Sequence, residues 1–109
     1  MTKNLKKNKD IQEIVRRLIG AYEPEEIYLF GSVARGEEGK ESDFDLLVIV
    51  PDDASPDRKK SQLAYHALRG TGIAVDVLVW TKTAFNQRLH LKASLPSIVK
   101  EEGKLLYAA

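Results

Sequence analysis

Glu26-Ile27-Tyr28-Leu29-Phe30-Gly31-Ser32-Val33-Ala34-Arg35-Gly36, then, past a charged loop, Ser42-Asp43-Phe44-Asp45-Leu46-Leu47-Val48-Ile49-Val50: this stretch decides the fold. Pro24 breaks the chain just ahead of it, and residues 26–30 read as a buried strand. Gly31-Ser32 follows at once, and Ser32 is placed to cap a short helix over Val33-Ala34-Arg35. Gly36 to Lys40 is glycine-rich and charged, hence a loop. Phe44 to Val50 is a dense apolar run of strand length, expected to be covered on both faces, and it stops at Pro51.

Upstream, Ile11, Ile14, Val15, Leu18 and Ile19 fall at helical spacing. They predict one apolar stripe, with Arg16 and Arg17 on the wet side and an end near Gly20. Downstream, Ser55-Pro56 is a capping residue followed by proline, so a helix is expected from there to about Arg69, closed by Gly70 and Gly72. Ile73 to Trp80 reads as a third strand. Thr81 or Thr83 caps a short helix around Phe85 to Leu89, and Ser94 or Ser97 starts another that closes at Gly103. Leu105-Leu106-Tyr107 is a short last strand or a packed tail. This order predicts an α/β or α+β domain with a small, largely buried mixed sheet flanked by helices. A full helix between the second and third strands allows them to run parallel. The direction of the first two is left open.

Three aspartates stand out. Asp43 and Asp45 lie two apart at the start of the second strand, so their side chains share a face. Asp76 sits inside the valine-rich third strand, where a lone buried carboxylate costs several kcal/mol unless paired, protonated or on a metal. If the two strands are neighbours, all three carboxylates converge. Taken singly, Ser42-Asp43 can be a turn and Asp76 can pair with an arginine or a buried backbone group. The Gly-Ser element tips the balance. Glycine lets backbone approach a phosphate, N–H groups at a helix start accept anions, and the Ser32 hydroxyl can donate to a phosphate oxygen. Other residues carry less. Arg35 either steadies phosphate or is solvated, His66 and His90 read as structural or surface, and Trp80 as core or an interface edge. Glu37, Glu38 and Glu41 solvate the loop.

The run Gly31-Ser32-Val33-Ala34-Arg35-Gly36 with Ser42-Asp43-Phe44-Asp45-Leu46-Leu47-Val48 closely resembles the signature of the DNA polymerase beta-like nucleotidyltransferases. Asp76 matches that family's third carboxylate. The ending, from Ile98 through Glu102-Gly103-Lys104-Leu105-Leu106-Tyr107, looks like the tail of its smallest members, the minimal nucleotidyltransferases encoded beside HEPN-domain proteins. The resemblance covers nearly the whole chain from about Ile11 and implies a nucleotidyltransferase fold. It further implies that Asp43, Asp45 and Asp76 are the catalytic, metal-holding set, with two Mg²⁺ ions held chiefly by Asp43 and Asp45. By the same resemblance Gly31 and Ser32, helped by Arg35, would cradle the phosphates of ATP. Asp76 would bind the metal nearest the incoming hydroxyl or take its proton. Many relatives carry a basic or aromatic residue where this chain has Val33, which leaves one nucleotide contact open.

Composition sets the remaining bounds. A length of 109 residues suits one domain, taken as 1–109 with residues 1–9 a flexible basic end around Lys3, Lys6, Lys7 and Lys9. There are no cysteines, and 17 basic side chains nearly cancel 16 acidic ones, so a thiolate metal site is excluded and direct DNA binding is not expected. No apolar run reaches the roughly 20 residues that span a bilayer, and the expected location is the cytoplasm. The resemblance implies a Mg-dependent enzyme that transfers AMP from ATP to a tyrosine of a partner HEPN toxin, as an antitoxin. Two alternatives stand beside it: a non-catalytic module that neutralises a partner by binding, and transfer to a small molecule, for which a homo-oligomer would complete the site.

Overall fold

The computed structural model describes residues 3–34 and 44–109, with the backbone alone at residues 3–8, 32 and 33. Helix α1 spans Lys3–Tyr22, strand β1 Glu26–Phe30, the short α2 Gly31–Ala34 and strand β2 Phe44–Val50. A 3₁₀ turn at Pro56–Lys59 leads to α3, Gln62–Ala67. Strand β3 follows at Val75–Thr81, then α4 at Lys82–Arg88, α5 at Leu95–Glu102 and β4 at Lys104–Ala108. The strands form one mixed sheet in the order β3-β2-β1-β4. β2 and β3 are parallel, as their helical connection allowed, while β1 runs antiparallel to both β2 and β4.

Alternation within the strands separates two apolar clusters. On one face Ile27, Leu29, Leu46, Val48 and Val50 pack against Ile14, Leu18 and Tyr22 of α1 and Ala64 of α3. On the other, Tyr28, Leu47 and Ile49 pack against Phe85 of α4 and Val99 of α5, with Tyr28 stacked on Phe85 at 5.9 Å. β2 is therefore buried on both faces, which is what its unbroken apolar run requires.

Several boundaries differ from the sequence expectation. α1 starts at Lys3 and passes through Gly20 to Tyr22, ending on Glu23 in the left-handed region (φ 47°) ahead of Pro24. The Arg58 guanidinium donates to the carbonyls of Tyr22 (2.8 Å) and Glu23 (3.2 Å), satisfying that helix end. The expected single helix from Ser55 to Arg69 is two pieces. Lys60 between them is extended, and its carbonyl accepts from the buried Tyr22 hydroxyl at 2.6 Å instead of continuing a helix. Arg17 is not on the wet side alone. It bonds Glu13 at 2.6 Å and the carbonyls of Ala67 and Arg69 at 3.2 and 3.0 Å, tying α1 to the end of α3. Thr81 caps α4 and Ser94 caps α5, their hydroxyls accepting from Ala84 N and Ser97 N.

Gly103 closes α5 where that helix turns into β4. A methyl there would lie 2.6 Å from the Val99 carbonyl and 2.7 Å from that of Leu29, both backbone atoms. Gly103→Ala is therefore expected to lower unfolding stability by about 1–3 kcal/mol through overpacking, with no contribution from φ, which is −82°. A urea titration checks this.

Candidate active site

The face that carries α4 and α5 is organised in rows across the sheet, set by strand register. Glu26, Ile49 and Trp80 form one row, Tyr28, Leu47 and Leu78 the next, and Phe30, Asp45 and Asp76 the last. Phe85 and Val99 belong to the cluster built on Tyr28, Leu47 and Ile49. The last row lies beyond it, at the rim where β1 ends and β2 and β3 begin. Apolar burial thus gives way to carboxylates at one edge of the same surface.

Asp45 and Asp76 are direct register partners on parallel strands, so their side chains leave the sheet on the same side. Strand spacing sets their backbones about 5 Å apart. Two carboxylates so placed repel when both are ionised, and a cation between them relieves that repulsion. Oxygen-only donors suit a hard ion such as Mg²⁺. Asp45 is half-buried and Asp76 exposed. The expectation of a buried lone Asp76 is therefore corrected: β3 is an edge strand, Val75, Val77 and Val79 pack against the first cluster, and Asp76 is exposed. Its placement carries information through register with Asp45, not through burial. Among the described residues there is no cluster of three or more metal-capable side chains.

Gly31 supplies the third wall. It follows Phe30, the register partner of Asp45, and turns the chain into α2 with φ of +81°. A methyl on Gly31 would overlap the Asp45 carboxylate oxygen Oδ2 and lie 3.1 Å from Cγ. The glycine thus meets a conformational need and a steric one together, holding the turn and the carboxylate in close approach. Ser32 lies in the same turn and its side chain is outside the described residues, as are Asp43 and Arg35. His66 and His90 are exposed and no ligand cluster includes them among the described residues. Trp80 is half-buried against the second cluster.

Two charged contacts that sequence reasoning missed flank this face. Lys82 pairs with Glu26 at 3.2 Å, and the Lys100 ammonium donates to the Tyr28 hydroxyl at 3.3 Å. Both pairs are remote in sequence, so periodicity gave no sign of them. A cleft of about 540 Å³ opens along the free edge of β3, with Asp76 on its wall.

Comparison with known proteins adds to this geometry. Residues 9–106 match the model of the family described as nucleotidyltransferase domain. The chain is 31% identical over 105 residues to an inferred protein adenylyltransferase of Methanocaldococcus jannaschii, covering 94% of this chain and all of that one. Its fold is similar to an inferred nucleotidyltransferase from Sulfolobus solfataricus, with TM-score 0.61, 24% identity, and 92% of this chain against 78% of that one. It is also similar to a complex of an MNT antitoxin with the tri-AMPylated HEPN toxin of Shewanella oneidensis. There the TM-score is 0.51 at 24% identity, over 97% of this chain and 72% of that one.

Proposed function

This chain belongs to the nucleotidyltransferase domain family and is a nucleotidyltransferase, and from that premise we propose that it transfers AMP from Mg-ATP to a tyrosine hydroxyl of a HEPN-domain partner, acting as an antitoxin. The observation that carries the reading is the row holding Asp45 and Asp76 side by side against the Gly31 turn. Asp45, with Asp43, would hold the metal; Asp76 would add a ligand or take the proton of the acceptor. Bound Mg²⁺ supplies charge neutralisation at the phosphates and lowers the barrier to in-line displacement.

The residues of this chain do the positioning. The Gly31-Ser32 turn binds the β- and γ-phosphates and aims the α-phosphorus at the rim of the sheet, with Arg35 steadying the charge. The acceptor oxygen bonds to the α-phosphorus, the bond from that phosphorus to the bridging oxygen breaks, and pyrophosphate leaves. The acceptor's proton passes to the Asp76 carboxylate, which is open to the approaching hydroxyl. The similarity to a protein adenylyltransferase over nearly the full chain supports a protein acceptor, and the fold shared with an antitoxin in a HEPN complex supports the partner class. The cytoplasm is the expected site of action; among the described residues no helix is long and apolar enough to cross a membrane.

The test is transfer of α-labelled ATP, with Mg²⁺, to the HEPN-domain protein encoded beside this chain. Label on a tyrosine of that protein, absent with Asp76→Asn, is the expected result. Neutralisation of the partner without any label would replace this reading with the binding-module alternative.

A further inference from the structure

We propose that Leu78 selects the acceptor: it is the apolar floor on which the ring carrying the attacking hydroxyl lies, so the site favours a phenol over a serine or sugar hydroxyl; the inference rests on the nucleotidyl-transfer reading above. Single exposed leucines are ordinary on protein surfaces, and position is what marks this one. Leu78 lies two residues beyond Asp76 on β3, so the two side chains leave the same face of the sheet about 7 Å apart. Its register partner is Leu47, as Asp45 is the partner of Asp76. Leu47 is fully buried in the cluster with Phe85 and Val99, whereas Leu78 is 42% exposed. Trp80, the next residue of β3 on this face, packs against that cluster. The cover given by α4 and α5 thus reaches β3 at Trp80 and leaves Leu78 open, with Asp76 beside it.

In-line displacement decides what meets that surface. Across the rim the strands stand in the order β1, β2, β3, and they carry in turn the Gly31 turn, Asp45 and Asp76. With the β- and γ-phosphates on the Gly31 turn, pyrophosphate leaves over β1. The acceptor oxygen therefore approaches the α-phosphorus from the opposite side, over β3. That side is open, because β3 is an edge strand, and Asp76 and Leu78 both line the cleft along it. The other exposed leucine of this row, Leu105, is the register partner of Tyr28 on β4, beyond the leaving-group side.

A phenol suits this pair of residues. Its ring covers the leucine and removes apolar surface from water, while the hydroxyl at the far end of the ring meets the Asp76 carboxylate. A serine or ribose hydroxyl can meet the carboxylate but leaves the leucine uncovered. The step balances as before: the phenol oxygen bonds to the α-phosphorus, the bond to the bridging oxygen breaks, and pyrophosphate leaves with the electron pair. The phenol proton passes to Asp76 and then to water.

The experiment uses this chain, Mg-ATP and the HEPN-domain protein encoded beside it, with the labelled residue located first by peptide mapping. Leu78→Ser is expected to lower kcat/KM for that acceptor about tenfold and Leu78→Met to restore it, with Mg-ATP binding by calorimetry within about twofold of wild type. Replacing the partner's labelled tyrosine by phenylalanine keeps the ring, and replacing it by alanine removes the ring. Leu78→Ser is expected to weaken complex formation about fivefold with the phenylalanine partner and to leave it unchanged with the alanine partner. Equal weakening of both complexes, weakening of neither, or wild-type label on a serine or threonine overturns the role of Leu78 while leaving the transfer reading standing. Loss of Mg-ATP binding in Leu78→Ser also overturns it, by putting the nucleoside on the leucine. A wild-type chain that labels no hydroxyl of the partner overturns both.

Discussion

Asp45→Asn is expected to lower the rate of AMP transfer by roughly 10³-fold or more, corresponding to about 4 kcal/mol of lost transition-state stabilisation. The substitution keeps the shape of the side chain and removes one negative charge from the row it shares with Asp76. A neutral amide is a poor ligand for a hard divalent ion, so the loss falls on metal-dependent charge stabilisation rather than on folding. Added Mg-ATP should raise the melting temperature of the wild type and leave that of the variant unmoved. Single-turnover transfer and thermal melting check both halves. A variant that keeps a tenth of its activity would move the metal away from Asp45.

Gly31→Ala is the second large effect, and it combines two costs. At φ of +81° an alanine pays about 1–2 kcal/mol for left-handed backbone. Its methyl would also overlap the Asp45 carboxylate, so either the turn opens or the carboxylate shifts. Unfolding stability is expected to fall by about 1–3 kcal/mol and transfer by roughly 10²-fold, since small misplacement at a reacting centre costs about that much. Gly70→Ala separates the two costs. Gly70 has a similar φ of +87°, and a methyl there would meet nothing within 4 Å, so it should lose only the backbone contribution and keep its activity. Equal activity losses in the two variants would contradict the role given to the Gly31–Asp45 approach.

Much of this arrangement was legible from the residues. β1 and β2 fall where their apolar runs begin and end, because Pro24, Gly31 and Pro51 punctuate them and burial fills them. The helix between β2 and β3 allowed their parallel pairing without requiring it. The antiparallel direction of β1 was not legible, since the segment joining it to β2 carries no periodicity. The break at Lys60 was hidden as well: it depends on a tertiary bond from Tyr22, which local capping signals do not report. The reason for singling out Asp76 as a candidate was wrong. A valine-rich run reads as buried throughout, but the strand lies at the sheet edge and alternates, with Val75, Val77 and Val79 inward and Asp76 and Leu78 outward. Edge position is a property of the whole sheet order and cannot be taken from one strand. As candidates, Asp43, Ser32 and Arg35 rest on the motif alone, while Gly31, Asp45 and Asp76 are also neighbours in the fold.

Titration of ATP into the protein by calorimetry, with and without Mg²⁺, alongside an Asp43→Asn/Asp45→Asn double variant, tests the central claim most directly. Metal-dependent binding in the wild type that disappears in the double variant is the expected result, and it would put the nucleotide on these carboxylates. Binding of equal strength in both proteins, or binding indifferent to Mg²⁺, would contradict the account.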